Sequence, residues 1–260
     1  MKRVVYDQLT YYQFNDRAIA APLYHGFFTR VGGVSRAPFE SLNLARSVGD
    51  DPLAVTENNR RMLSVFDAQP AQTTTAWLAH GRSVAVVDRA DAGRFRQGVD
   101  ALITRERGLT LTMRFADCVP VIVYDAAQGA IGLAHAGWRG VAVNVVAATL
   151  DALREAFGSD PRDVWAGIGP CIGVDQYRVG PDVMAAVTAA CPPDAPIAQR
   201  QPDGCVHLDL NAAVSAQLRA GGVTHIEDAR LCTATHTDEW FSHRAEHGQT
   251  GRFGVVIGLP

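Results

Sequence analysis

Two short apolar runs, separated by a few turn-forming residues, constrain this chain more than anything else in it. Val119 to Tyr124 is short, apolar and rich in β-branched residues, the composition of a buried strand. Asp125-Ala-Ala-Gln128 with Gly129 behind it predicts a hairpin loop, and Ala130 to His135 predicts the return strand. With Tyr124 facing Gly129, Ile122 meets Ile131, Pro120 meets Leu133, and Cys118 meets His135. Directly opposed residues on one face have β-carbons roughly 4.5–5.5 Å apart. A thiol and an imidazole therefore project together from the open end of one rigid hairpin. That pair is open to three readings: a buried cysteine beside a core histidine, a Cys-His nucleophile, or part of a metal site. Asp117 before it and Gly137-Trp-Arg-Gly140 after it place the pair at strand ends, where functional sites gather.

The bulk of the chain sets the setting for that hairpin. With 260 residues, 47% hydrophobic and 20% charged, it can bury a large core as an ordinary globular protein. A formal charge of −3 gives no electrostatic reason to expect nucleic acid or an anionic membrane as partner. Five dispersed cysteines (118, 171, 191, 205 and 232) form no Cys-x-x-Cys pair, which fits a reducing compartment better than a disulfide scaffold. No apolar run approaches a membrane span, and the basic residues at the start lead into no apolar stretch. A cytoplasmic protein is expected. There is no internal repeat, linker or low-complexity tract, so residues 1–260 are expected to form a single α+β domain.

Elsewhere the spacing places further elements. Residues 1–24 carry no clear pattern. His25-Gly-Phe-Phe-Thr-Arg-Val-Gly-Gly predicts a strand entering a glycine turn with Arg30 at its end. Asp51-Pro52 starts a helix, Asp as cap and Pro in the first turn, with Leu53, Met62, Leu63 and Phe66 on its apolar side. Trp77 to Val87 reads as two short strands joined at a turn that carries His80. Val141 to Phe157 has the spacing of one amphipathic helix closed by Gly158. Residues 191–204, rich in Pro, Asp and Gln, read as a loop, and Asp209 begins a last helix.

The blocks Ala116-Asp-Cys-Val-Pro-Val121 and Ala134-His-Ala-Gly-Trp-Arg-Gly140 resemble the two signature blocks of the YfiH-like, or laccase-domain, family. Its members were first described as polyphenol oxidases and later as purine nucleoside phosphorylases with adenosine deaminase activity. The resemblance runs from about Phe27 to Leu259. It implies a four-layer α/β/β/α sandwich with mixed sheets, a fold shared with the cytotoxic necrotizing factor toxins. It also implies a third metal ligand, His80, in the place of the family's Gln-Val-His-Gly histidine. Here Leu78 and Ala79 replace the glutamine and valine. Near the pocket it places Arg30 and Asn43, and Arg244 and Arg252 in the blocks around residues 241–252, where Ala245 stands for the family's second arginine.

Two histidines and a cysteine with an open fourth position describe a catalytic zinc site. Zinc brings the pKa of bound water to roughly 7, which suits attack at C6 of adenosine. Phosphorolysis also needs an anion site, for which Arg30, Arg139 and Arg244 are the candidates. Asp117 is the candidate proton shuttle. The expected small-molecule partners are a purine nucleoside and phosphate. Copper is the alternative metal, because two histidines and a cysteine also make a blue-copper set. However, eight histidines with no His-x-His pair cannot assemble a four-copper laccase. A metal-free hydrolase with Cys118 as nucleophile and His135 as base is the third reading.

Overall fold

The hairpin is the centre of the structure, a computed structural model that describes residues 1–15 and 23–260. Strands and helices are numbered in chain order. β9 (Val119–Asp125) and β10 (Ala130–Ala136) are buried along their whole length. Their six-stranded sheet has the order β14 (His225–Asp228), β11 (Val164–Ile168), β9, β10, β7 (Ala101–Thr104) and β5 (Val84–Val86). A strand buried on both faces needs apolar residues at odd and even positions alike, and β9 supplies them. Val119, Val121 and Val123 face the helices α3 (Val145–Phe157) and α5 (Leu210–Ala220), while Ile122 and Tyr124 face a second sheet.

That second sheet has seven strands, in the order β1 (Lys2–Tyr6), β2 (Leu9–Gln13), β3 (Tyr24–Phe28), β15 (Phe253–Gly258), β8 (Thr110–Phe115), β4 (Thr73–Trp77) and β6 (Phe95–Gln97). Phe27, Leu111, Met113, Phe115, Phe253 and Val255 point from it into the inter-sheet core. Its outer face packs Phe28, Leu44 and Val256 against Met62 and Leu63 of α1 (Pro52–Ser64). The layers therefore run helix, sheet, sheet, helix, as the family resemblance implied. Both sheets mix parallel and antiparallel pairs.

Several local expectations are corrected. The hairpin register is displaced by two residues: Ala130 pairs with Asp125 and His135 with Pro120. The Asp125 carboxylate accepts from the backbone N–H groups of Ala127 and Gln128, so Asp125 stays in the ladder and the turn begins after it. Trp77 to Val87 is not a local pair of strands. β4 belongs to one sheet and β5 to the other, and the turn between them crosses the sandwich. The helix expected over 141–157 is two helices, α2 (Trp138–Ala142) and α3, because Asn144 takes φ 56° and caps α3 by accepting from the Ala147 N–H. Leu53 is 79% exposed rather than on the apolar side of α1, where Val55, Met62 and Leu63 are buried. β1 and β2 occupy the residues that had no clear pattern, since β1 is mostly exposed and carries no buried alternation. The 191–204 segment contains β12 (Ala198–Arg200), paired with β13 (Val206–Leu208). α4 (Pro181–Ala189) starts on its proline.

The connections that matter gather at one end of the sandwich. There β8 finishes at Phe115, β9 begins at Val119, β10 finishes at Ala136, and Phe253 of β15 pairs with Phe115.

Candidate metal centre

Period-two alternation carries both hairpin residues to the same face despite the displaced register. Ile131 and Leu133 of β10 face the inter-sheet core, so His135, two residues on, does too; its ring lies 5.5 Å from that of Phe115. Cys118 lies one residue before β9 and packs against the same core. The two are therefore diagonal neighbours rather than directly opposed. The strand position opposite Cys118 is Gly137, where a β-carbon would stand 2.9 Å from the Cys118 sulfur. Glycine makes room for the thiol.

His80 arrives from the turn that crosses between the sheets. Its imidazole stands edge-on to His135, with ring centroids 5.0 Å apart. One donor atom from each of His80, Cys118 and His135 lies within 4.8 Å of the other two. Among the described residues this is the single cluster of three such ligands. His135 is buried, Cys118 partly buried, and His80 exposed at the rim.

Asp100 underlies the cluster. It is fully buried, and its carboxylate accepts from the backbone N–H groups of His80 (2.9 Å) and Gly81 (2.7 Å). Its Oδ1 also faces His135 Nδ1 at 3.3 Å. The pKa shifts follow from this packing. Burial pulls His135 down, but Cys118 and Asp100 outweigh it and raise the imidazole to about 9. Loss of solvent and then the charge of His135 lower His80, and Arg139 and Arg252 lower it further.

The other predicted residues fall into two groups. Arg139 is exposed over the Trp138 ring, with its guanidinium carbon 4.4 Å from the centroid, and acts electrostatically on His80. Arg244 is exposed, lies 5.0 Å over Tyr177, and donates to the Arg178 carbonyl. Arg30, Asn43 and Asp117 are instead tied into the surrounding loops. Arg30 donates to the carbonyls of Glu40 and Thr237 and pairs with Glu246 at 3.0 Å. Asn43 is fully buried, bonded to Ala45, Asp50 and the Arg252 N–H. The Asp117 carboxylate accepts from Thr233 Oγ1 (2.6 Å), Ser242 Oγ (2.7 Å) and Arg244 N (2.7 Å), which anchors the 231–252 loop beside Cys118.

Two residues at the site were not among the predicted ligands or clamp. Tyr177 lies within electrostatic reach of Cys118, Arg244, Asp117 and Arg139, and burial is the main reason its phenol rises to about 12. Arg252 acts on His80 and feels Cys118 and Asp117. The family block around residues 241–252 pointed to Arg252, whereas Tyr177, in Tyr177-Arg-Val-Gly-Pro181, which also resembles a family block, carried no sign of a role. A separate cleft of about 410 Å³, lined by Gln72, Arg89, Glu106 and Arg107 among others, lies at the opposite end of β4 and gathers no catalytic set.

A two-sheet sandwich carries at one end a His-Cys-His cluster that could hold a metal ion, with His80 exposed at its rim and Arg139 and Arg252 acting on that histidine. Residues 24–260 match the family model described as multi-copper polyphenol oxidoreductase laccase, and the chain belongs to that family. It is 37% identical over 90% of its length to the purine nucleoside phosphorylase YlmD of Geobacillus stearothermophilus, covering 89% of that protein. It is 40% identical to a purine nucleoside phosphorylase of Streptomyces coelicolor, covering 90% of this chain and 94% of that one. The crystal structure of the Geobacillus YlmD superposes with a TM-score of 0.92 at 33% identity, over 97% and 96% of the two chains. The YfiH structure from Bacillus licheniformis gives 0.86 at 31% identity, over 92% and 93%.

Proposed function

We propose that this chain is a zinc-dependent purine nucleoside phosphorylase that also deaminates adenosine. The observation that carries this reading is the convergence of His80, Cys118 and His135 within 4.8 Å beside Arg139 and Arg244. The relatives named as purine nucleoside phosphorylases supply the substrate class.

The donor set fits zinc. One soft thiolate and two imidazoles suit it better than a hard oxygen-seeking cation, and three protein ligands leave a position for a reactant. Zinc bound there supplies Lewis acidity and eases loss of a proton from water. The chain's own residues supply the rest. The Asp100 carboxylate accepts a hydrogen bond from the Nδ1–H of His135, which leaves the Nε2 lone pair free to bind a metal. Arg139 and Arg244 form the anion clamp that binds and orients phosphate. Arg30 is outside that clamp because its guanidinium is already held by Glu246 and two carbonyls. Asp117 holds the loop that carries Arg244 rather than relaying a proton, since three donors occupy its carboxylate. The ligand set is too small for a laccase. A cytoplasmic setting agrees with five free cysteines. Among the described residues no helix is long and apolar enough to cross a membrane.

One observation favours a second reading. His135 bridges Cys118 and Asp100, the order of nucleophile, base and orienting carboxylate in a cysteine hydrolase. Chromatography of adenosine incubated with the zinc-loaded and the chelated protein, each with and without phosphate, separates the two. The zinc reading expects adenine and ribose 1-phosphate only with phosphate, inosine in either case, and neither after chelation. Full activity in metal-free protein overturns it in favour of the hydrolase.

A further inference from the structure

We propose that Asp100 is the positioning residue of the metal centre, a single carboxylate that fixes both histidine ligands before any metal arrives. The proposal rests on the zinc reading above and adds the device that builds the site.

His80 is a ligand in a conformation that an L-residue avoids, with φ 58°. Such a conformation is unfavourable for an L-residue and persists only where its surroundings hold it. Here the holder is one side chain. Asp100 Oδ1 accepts from His80 N at 2.9 Å, and Oδ2 accepts from Gly81 N at 2.7 Å and Ala79 N at 3.3 Å. Three consecutive N–H groups thus converge on one buried carboxylate, and the turn they form aims the His80 ring at Cys118.

The same residue grips His135 twice. The Asp100 carbonyl accepts from His135 N at 2.8 Å, and Oδ1 faces Nδ1 at 3.3 Å. A carboxylate acceptor on Nδ1 keeps the proton there and leaves the Nε2 lone pair for a metal. Asp100 directly precedes β7, the strand beside β10, and its own N–H donates to Ser83 O at 2.8 Å, which ties the end of that strand to the His80 turn. Nothing else among the described residues touches both histidines by hydrogen bonds. Leu78 is apolar and offers the His80 ring no hydrogen bond, so the hydrogen-bonded hold on His80 is the backbone grip of Asp100.

The test uses the full chain and zinc. In Asp100→Asn the amide group turns two donors toward a site built from donors, so the His80 turn and the His135 tautomer are both disturbed. Zinc affinity, read by competition with a chromogenic chelator, is expected to fall about 10–100-fold while the circular dichroism spectrum is kept. Equal zinc affinity in native and variant proteins overturns the proposal and leaves the zinc reading standing. A native chain that takes up no zinc overturns both. A second measurement does not depend on the variant's folding. Long-range 1H–15N spectra of the zinc-loaded native chain are expected to show the His135 proton on Nδ1 and zinc on Nε2; zinc on Nδ1 overturns the proposal.

Discussion

A β-carbon added at Gly137 would stand 2.9 Å from the sulfur of Cys118, closer than side chains approach one another. The backbone there is ordinary, φ −74° and ψ 171°, so any residue can adopt it. Sterics against the thiol, not chain geometry, are what alanine would violate at this position. Gly137→Ala is therefore expected to leave the fold standing, at a cost of about 1–3 kcal/mol for the overpacked contact. The Cys118 sulfur is expected to move out of reach of the other two ligands. Chelator competition and thermal unfolding of the same sample check it: zinc affinity should drop at least tenfold, while the melting point moves by only a few degrees. Unchanged zinc affinity would mean that the sulfur is not a ligand.

Occupancy of the cluster also decides the chemistry of Cys118. A thiolate bound to metal is shielded from alkylation, and a free one is not. Of the other cysteines, Cys171 is 1% exposed, and burial pushes its thiol well up, so it is inert. Treatment with iodoacetamide followed by peptide mass mapping is expected to find Cys118 protected in zinc-loaded protein and modified after chelation. Cys191, Cys205 and Cys232 provide the internal reference, since their modification should not change with zinc. Equal labelling of Cys118 in both states would contradict its role as a ligand.

His25 gives the fold a pH dependence separate from the metal. It lies in β3, 4% exposed, and its Nε2 accepts from the Phe14 N–H, a bond that requires a neutral ring. Burial lowers its pKa from 6.5 to about 4. In the unfolded chain this histidine takes up a proton below about pH 6.5, while in the folded chain it does so only near pH 4. The stability it contributes is therefore complete above pH 6.5 and is lost as the pH falls through the window from 6.5 to 4. A shift of this size corresponds to about 3 kcal/mol. Urea unfolding of metal-free native protein and of His25→Gln, each at pH 7.5 and pH 5, checks it. The native protein should lose more stability between the two pH values than the variant. Equal losses would show that the ring is already charged at pH 5 or titrates as it does in the unfolded chain.

The hairpin was legible because a buried strand pair leaves a local trace: β-branched residues, a turn-forming loop, and a period of two. A register displaced by two residues left the conclusion about Cys118 and His135 unchanged, since both still share a face. The caps of α1 and α5 were legible for a similar reason, with Asp51 and Asp209 each accepting an N–H of the first turn. What depended on distant partners was hidden. Trp77 to Val87 looks like a local turn between strands, and only the packed structure shows its strands in different sheets. The helix break at Asn144 was masked because apolar spacing continues across it through Val143 and Val145. The family blocks located Arg30 and Asn43, but the bonds that occupy them come from residues such as Glu246 and Asp50, far away or unremarkable in sequence. In the sequence, Asp100 in Gly98-Val-Asp100 has the look of either a turn cap or a partner for a ligand histidine. It is both, and no spacing rule joins residue 100 to 80 and 135 at once.

Ala245 bears on which of the two proposed reactions this chain favours. The turn after Ser242 is fixed from inside: Glu246 accepts from Ser242 N, and the Ala245 N–H donates to Ser242 Oγ. The Ala245 side chain is exposed next to Arg244, whose backbone N–H is held by Asp117 and whose guanidinium stacks on Tyr177. An arginine at 245 would add a second cation to that rim without disturbing the bonds that hold the turn. Phosphorolysis needs the anion clamp and deamination does not, so only the first should respond. One added charge-assisted hydrogen bond to phosphate contributes about 1.5–3 kcal/mol, or one to two orders of magnitude in affinity. Ala245→Arg is therefore expected to lower the phosphate concentration needed for half-maximal phosphorolysis about 10–100-fold, with inosine formation from adenosine little changed. Both products are measured across a phosphate titration for the native chain and the variant. If the phosphate dependence does not move, or if deamination moves as much as phosphorolysis, residue 245 lies outside the phosphate site, and the clamp must be sought around Arg139 and Arg252 instead.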